Sequence, residues 1–207
     1  MMRIDAVSSH PDRVGKYKVS FSDGSVLRLY RQTVEDFGIY TGKELSEEEF
    51  AKLKVSAGEM SAKMRAVRIV AASNVSRADL KQRLINKGET VADATLAVSW
   101  MSDMDLVDDK KTAEMIVARC IEKGYGVSRV KQALFEKRIP KELWEDALAD
   151  YPDQTEKIMA YLKVKLTDPS DTKAVRKVTD ALIRRGHSFH QIRSAMQQMD
   201  IYLQEDY

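Results

Sequence analysis

A self-similarity with a period near fifty residues constrains this chain more than any other feature. Leu80, Leu84, Lys87 and Gly88 return 50 residues later as Val130, Leu134, Lys137 and Arg138, and 48 residues after that as Val178, Leu182, Arg185 and Gly186. The register continues through Ala94, Trp144 and Ile192, through Ala97, Ala147 and Ala195, and through Val98, Leu148 and Met196. Agreement at these columns in three copies means one supersecondary unit used three times. A single copy has too little core to stand comfortably alone, so neighbours must share apolar surface.

The unit is helical. Charged residues make up 32% of the 207 positions and aromatics only 7%, a balance that suits soluble helices and argues against a β-sandwich. Ala113, Ile116, Val117, Cys120 and Ile121 follow the i, i+3, i+4 spacing of a buried helical stripe, as do Met64, Val67, Val70 and Ala71, and later Ile158, Leu162 and Leu166. The expected helices are Ser61–Ala72, Arg77–Lys87 and Val91–Met101 in the first copy. Those of the second are Lys110–Lys123, Ser128–Lys137 and Lys141–Ala149, and those of the third Gln154–Lys165, Thr172–Arg185 and Ser188–Met199. Gly88, Gly124 and Gly186 sit where left-handed helix ends are wanted, and Pro140 suits a first turn.

Residues 1–60 differ. Ile4 to Val7 reads as a short strand, and two apolar runs flank Ser22-Asp23-Gly24-Ser25, a hairpin signal. Thr33 and Asp36 are candidate caps of a short helix, and Ser46 with Glu49 forms the capping box of another that buries Phe50 and Leu53. The expected fold is therefore mainly α: three tandem three-helix, helix-turn-helix-like repeats in an elongated curved array, preceded by a small β-hairpin portion. The divisions fall at 1–60, 61–107, 108–152 and 153–207.

Several classes drop out. No apolar run approaches a membrane span, and the N-terminus has no apolar signal core, so a cytoplasmic protein is expected. One cysteine, Cys120, excludes a disulfide framework, and its place on an apolar stripe makes it a core residue. His187 and His190 lack a third metal ligand and read as surface or cap residues. Asp108-Asp109 reads as a helix start, and Gly124-Tyr125-Gly126 as a turn. No catalytic residue, metal or cofactor is expected.

Net charge is only +2, but its distribution is uneven. Lys63–Lys87 holds seven bases against one acid, Arg119–Lys141 seven against two, and Lys157–Arg193 nine against three. Each middle helix reads as a recognition helix with a positive face. The candidate contacts are Arg77, Lys81, Arg83 and Lys87; Arg129, Lys131, Lys137 and Arg138; and Arg176, Lys177, Arg184 and Arg185. Base-reading amides are thin, namely Gln82, Asn86 and Gln132, so any DNA binding is expected to be weak, salt-sensitive and indifferent to sequence. Acidic protein surface is the alternative partner.

Three motifs carry a family resemblance. Ser76-Arg77-Ala78-Asp79-Leu80 with Leu84, Lys87 and Gly88, the run Lys123-Gly124-Tyr125-Gly126-Val127-Ser128-Arg129-Val130, and Arg184-Arg185-Gly186-His187-Ser188 resemble the RecX family, as does Leu106-Val107-Asp108-Asp109. The likeness covers Ser61 to Met199, and the hairpin portion resembles the N-terminal extension of longer members. Departures are Thr112 where the family often has Phe, and Asp105 and Arg138 where it has Gly.

The resemblance implies a non-enzymatic regulator of the RecA recombinase. It would lie in the groove of the RecA–DNA filament or at its end, and suppress ATP hydrolysis, strand exchange and stimulated LexA cleavage. Partners so implied are RecA and the RecA–DNA filament, with weak direct DNA contact, no membrane, and a monomeric chain. The residues alone also allow a stand-alone, sequence-indifferent DNA-binding protein.

Overall fold

The computed structural model describes residues 1–201; the last six positions of the fourth expected division lie outside the described residues. The chain divides into two compact units, the first ending at Val107 and the second beginning at Asp108.

The first unit opens with an antiparallel sheet of β1 (Met2–Val7), β2 (Lys16–Phe21), β3 (Val26–Tyr30) and β4 (Glu44–Leu45), in the order β3-β2-β1-β4. The hairpin forms as the Asp-Gly pair predicts: Gly24 has φ 80° and Lys16 stands opposite Tyr30. The two-residue β4 is unforeseen, because two residues carry no alternation to read. The short helix α1 (Arg31–Asp36) starts from Tyr30 without a side-chain cap; Thr33, expected as a cap, is drawn fully into the core instead.

The largest departure from expectation is α2 (Glu47–Ala72). Two separate helices are in fact one helix of 26 residues, started by the Ser46–Glu49 capping box. No proline interrupts it, and Gly58 lies where a side chain would strike Asp93, whose Oδ2 would be 2.8 Å from a Cβ. Its apolar stripe is also rotated from the expected one. Ala62, Ala66 and Ile69 are buried, while Val67 and Ala71 face outward. Hydropathy favours large side chains, but here close helix approach selects small ones: Ala62 and Ala66 share a core with Ala94 and Ala97 of α4 (Val91–Asp103). Leu80 and Leu84 of α3 (Arg77–Asn86) complete it.

In the second unit α5 (Asp109–Glu122), α6 (Val127–Glu136) and α7 (Trp144–Leu148) surround Ala113, Val117, Cys120, Val130 and Leu134. A 3-10 turn, Lys141–Leu143, precedes α7, so the expected helix Lys141–Ala149 shrinks to five α-helical residues. Pro152 just beyond it bars continuation. The helices α8 (Thr155–Lys165), α9 (Thr172–Arg184) and α10 (Phe189–Gln197) bury Ile158, Leu162, Val178, Leu182, Ile192 and Met196.

The helix ends repeat as the core does. After α3, α4, α5, α6, α9 and α10 comes a residue of positive φ: Gly88, Asp105, Gly124, Arg138, Gly186 and Asp200. The next N–H then bonds to the carbonyl five residues back, as Glu89 to Leu84, Ile139 to Leu134 and His187 to Leu182. Asp105 and Arg138, the two departures from family glycine, therefore still adopt the glycine conformation. For arginine at φ 54° that conformation costs about 1 kcal/mol. Arg138→Gly is accordingly expected to raise unfolding stability by about 1 kcal/mol in urea titration, and a loss of stability would show that the arginine side chain outweighs the strain.

Candidate partner-binding face

The repeat puts the candidate bases on α3, α6 and α9, where the apolar columns face inward and the intervening positions face solvent. The structure then sorts these bases by what each side chain does.

On α3, Arg77 is exposed and Lys81, one turn on, is half-buried on the same side. Arg83 turns the other way. Its Nη2 lies 2.9 Å from Asp79 Oδ2, its Nε donates to Asp79 Oδ1 at 3.1 Å, and its Nη1 donates to Ser73 Oγ at 3.2 Å, fastening α3 to the end of α2. Lys87 caps the helix with its side chain exposed, and its carbonyl accepts from Arg65. Gln82 donates to Asn86 at 2.9 Å, so both amides serve their own helix.

On α6, Lys131 is exposed, Lys137 half-buried and Arg138 exposed. Arg129 Nη1 stands 3.4 Å from Glu136 Oε1, which also accepts from Gln132 at 2.9 Å. On α9, Arg176, Lys177 and Arg184 are exposed, and Lys177 and Arg184 lie on the side opposite the buried Val175, Val178 and Leu182. Lys173, one turn before Lys177, extends that stripe. It was missed in the sequence, although its i, i+4, i+11 spacing with Lys177 and Arg184 carries the signal. Lys131, Lys173, Lys177 and Arg184 make no ion pair among the described residues.

Arg185 does something else. Its guanidinium is stacked between Tyr125, with 4.9 Å to the ring centroid, and Tyr161, with 5.2 Å, and donates to the Lys123 carbonyl. Around it, backbone meets backbone. The Gly126 N–H donates to the Arg185 carbonyl at 2.9 Å, and a Cβ on Gly126 would lie 2.1 Å from the Gly186 oxygen. The Gly-Tyr-Gly run is thus more than a turn, since it is the socket that receives the end of α9. His187 is 4% exposed, not the surface or cap residue expected. Its Nε2–H donates to the Gly124 carbonyl at 3.1 Å, while Nδ1 is buried without a partner. Burial, with Arg185 nearby, holds the imidazole below its ordinary value, against the weaker pull of the Gly124 hydrogen bond.

Among the described residues no three His, Cys, Asp or Glu side chains gather to hold a metal ion. Cys120 is buried, which pushes its thiol up, and burial likewise pushes the Tyr151 phenol up to about 12. No helix among the described residues is long and apolar enough to cross a membrane.

Two outcomes are expected. Gly126→Ala forces a methyl into the Gly186 carbonyl and lowers stability by about 3 kcal/mol, the upper part of the overpacking range, in urea unfolding; an unchanged midpoint would mean the socket does not form. For His187 the sign follows from its depressed value. As pH falls through the ordinary 6.5, the unfolded chain takes up a proton that the folded chain resists, so stability drops until the lower folded value is passed. His187→Phe should flatten the fall in melting temperature between pH 7.5 and 5.5; an equally steep fall in the variant would place the titration elsewhere.

Comparison with known proteins places this architecture. Residues 108–148 match the family model described as RecX, second three-helix domain. The regulatory protein RecX of Vibrio campbellii is 30% identical over 146 residues, which is 69% of this chain and 94% of that one. The regulatory protein RecX of Streptococcus gordonii is 24% identical over 89% of this chain and 73% of its own length. A crystal structure of a regulatory protein RecX shares the fold over 97% of this chain and 99% of its own, with TM-score 0.63 at 17% identity. That of RecX from Lactobacillus salivarius does so over 71% of this chain and 99% of its own, with TM-score 0.62 at 22% identity. On the identity and coverage shared with the Vibrio protein, the chain belongs to the RecX family of regulatory proteins.

Proposed function

We propose that this chain is a non-enzymatic, cytoplasmic, monomeric regulator that binds RecA on its DNA filament, in the groove or at the end. In recombination and the SOS response it then mostly inhibits ATP hydrolysis, strand exchange and coprotease activity. The observation that carries this reading is the exposed basic stripe of Lys173, Lys177 and Arg184 on α9, in a chain of the RecX family. Such groups attract acidic protein surface and phosphate alike, and Lys131 on α6 adds to them. The four divisions proposed from the sequence give a binder with several weak contacts, whose affinities multiply when they engage together. Arg83 and Arg185 are left out of the contact set, because their guanidinium groups serve internal joints.

The alternative, a stand-alone DNA-binding protein, keeps one supporting observation: the same stripe suits phosphate. Against base reading, Gln82 and Gln132 hydrogen-bond along their own helices. Contacts to DNA would therefore follow the backbone and weaken steeply with salt.

The DNA-dependent ATPase of RecA, measured with this protein at rising substoichiometric amounts, tests the reading. The rate should fall, and Lys177→Glu with Arg184→Glu should raise the half-inhibitory concentration about ten-fold, some 1.4 kcal/mol, with helicity unchanged. No effect of equimolar folded protein would overturn it. Equal affinity for labelled DNA with and without RecA, across a salt series, would favour the alternative.

A further inference from the structure

A groove of about 470 Å³ runs between α5 and α7 in the second unit, and no residue of the basic helix α6 lines it. Its floor is apolar: Ala113, Val117 and Ile121 from α5, with Leu143 and Ala147 from the other wall. Glu114, Asp146 and Asp150 also line it, against one cation, Lys110. The α5 residues are spaced i, i+4, i+8, and opposite them stand Leu143 of the 3-10 turn, Asp146 and Ala147 of α7 and Asp150 just beyond it, so one helical ridge and a shorter wall bound a trough suited to a further helix.

The trough exists because the third helix of this bundle is short. Its α7 has 5 residues, whereas α4 has 13 and α10 has 9. Ala113 and Val117 lie buried beneath the trough, while Ile121, Leu143 and Ala147 are left half-buried along it. The acids decide what can cover them. Three carboxylates around an apolar floor repel phosphate, so nucleic acid is the wrong occupant, and they attract Lys or Arg flanking an apolar stripe. The basic helix α9 of a second copy does not qualify, because its Val175, Val178 and Leu182 are buried in its own core.

We propose that this groove docks a basic amphipathic helix of a partner protein, its apolar stripe on Ile121, Leu143 and Ala147 and its cations on Glu114, Asp146 and Asp150. The site goes beyond the RecA reading and does not depend on it. Recognition is of the helix-in-groove kind, with anchors at i, i+3, i+4 and i+7. The second bundle then has two faces of opposite preference: α6 for acidic partners, and the α5–α7 groove for a basic one.

The test uses the full chain and two labelled 18-residue peptides with Leu at i, i+3, i+4 and i+7, one with Lys and the other with Glu at the remaining sites. The Lys peptide should bind in fluorescence anisotropy and shift the amide resonances of residues 113–121 and 143–150, and the Glu peptide should do neither. Glu114→Lys with Asp146→Lys should weaken binding at least ten-fold. Ala118→Trp, at an exposed position lining the groove, should abolish it without changing the thermal melt. Equal binding of both peptides, or binding that survives Ala118→Trp, would overturn the proposal. So would self-association in sedimentation that Ala118→Trp relieves, which would give the groove to a second copy. RecA is absent from this assay, so either result leaves the RecA reading standing or falling on its own.

Discussion

Everything in the first unit hangs on the unbroken run of α2. Its 26 residues span about 39 Å and enter two cores: Leu53 joins Ile4, Phe21 and Leu29 under the sheet, while Ala62, Ala66 and Ile69 join the helical core. A polar chain runs beside it. Lys16 donates to Ser61 at 3.0 Å, Ser61 to Glu89 at 3.1 Å, and Arg65 Nε lies 2.6 Å from Glu89. Arg68 reaches the Tyr30 hydroxyl at 3.3 Å, and Lys16 sits 4.9 Å from the Tyr30 ring centroid. Glu89 is nearly buried, with 7% of its side chain exposed, so removing a partner would strand a charge, the costly way to break such a pair. The sheet is therefore tied to the first helical core by one rod and one chain of polar contacts.

The repeat was legible because its columns are core positions. Leu84, Leu134 and Leu182 are each fully buried, as are Leu80 and Val130, and substitution there costs too much to leave the pattern blurred. The helix ends at Gly88, Gly124 and Gly186 were legible for the matching reason that left-handed backbone favours glycine, whereas those at Asp105, Arg138 and Asp200 carry no such mark. What stayed hidden was set by tertiary approach. Ala62 and Ala66 outrank Met64 and Val67 only because α4 comes close, and no hydropathy scale sees a neighbour. Likewise Arg83 and Arg184 look alike in a list of bases. Only the positions of Asp79 and Ser73 make one a joint and leave the other outward.

That sorting changes how the charge should be read. Net charge near zero conceals cations held within the fold, cations turned to solvent on α9, and carboxylates around a trough on another side of the same unit. Salt would weaken contacts of the second and third kinds while leaving Arg185, stacked between two tyrosines, largely untouched. The internal joints would therefore outlast any contact made through the exposed charges as ionic strength rises.

The socket formed by Gly124, Tyr125 and Gly126 has an evolutionary consequence. Because it meets the end of α9 through peptide groups on one side and through Arg185, His187 and two tyrosines on the other, a short run of residues holds the joint. A duplicated unit carrying the same short signature could then join the chain with few new surface contacts. Tandem copies whose outer residues have diverged, sharing little beyond core columns and helix ends, are what such a joint permits.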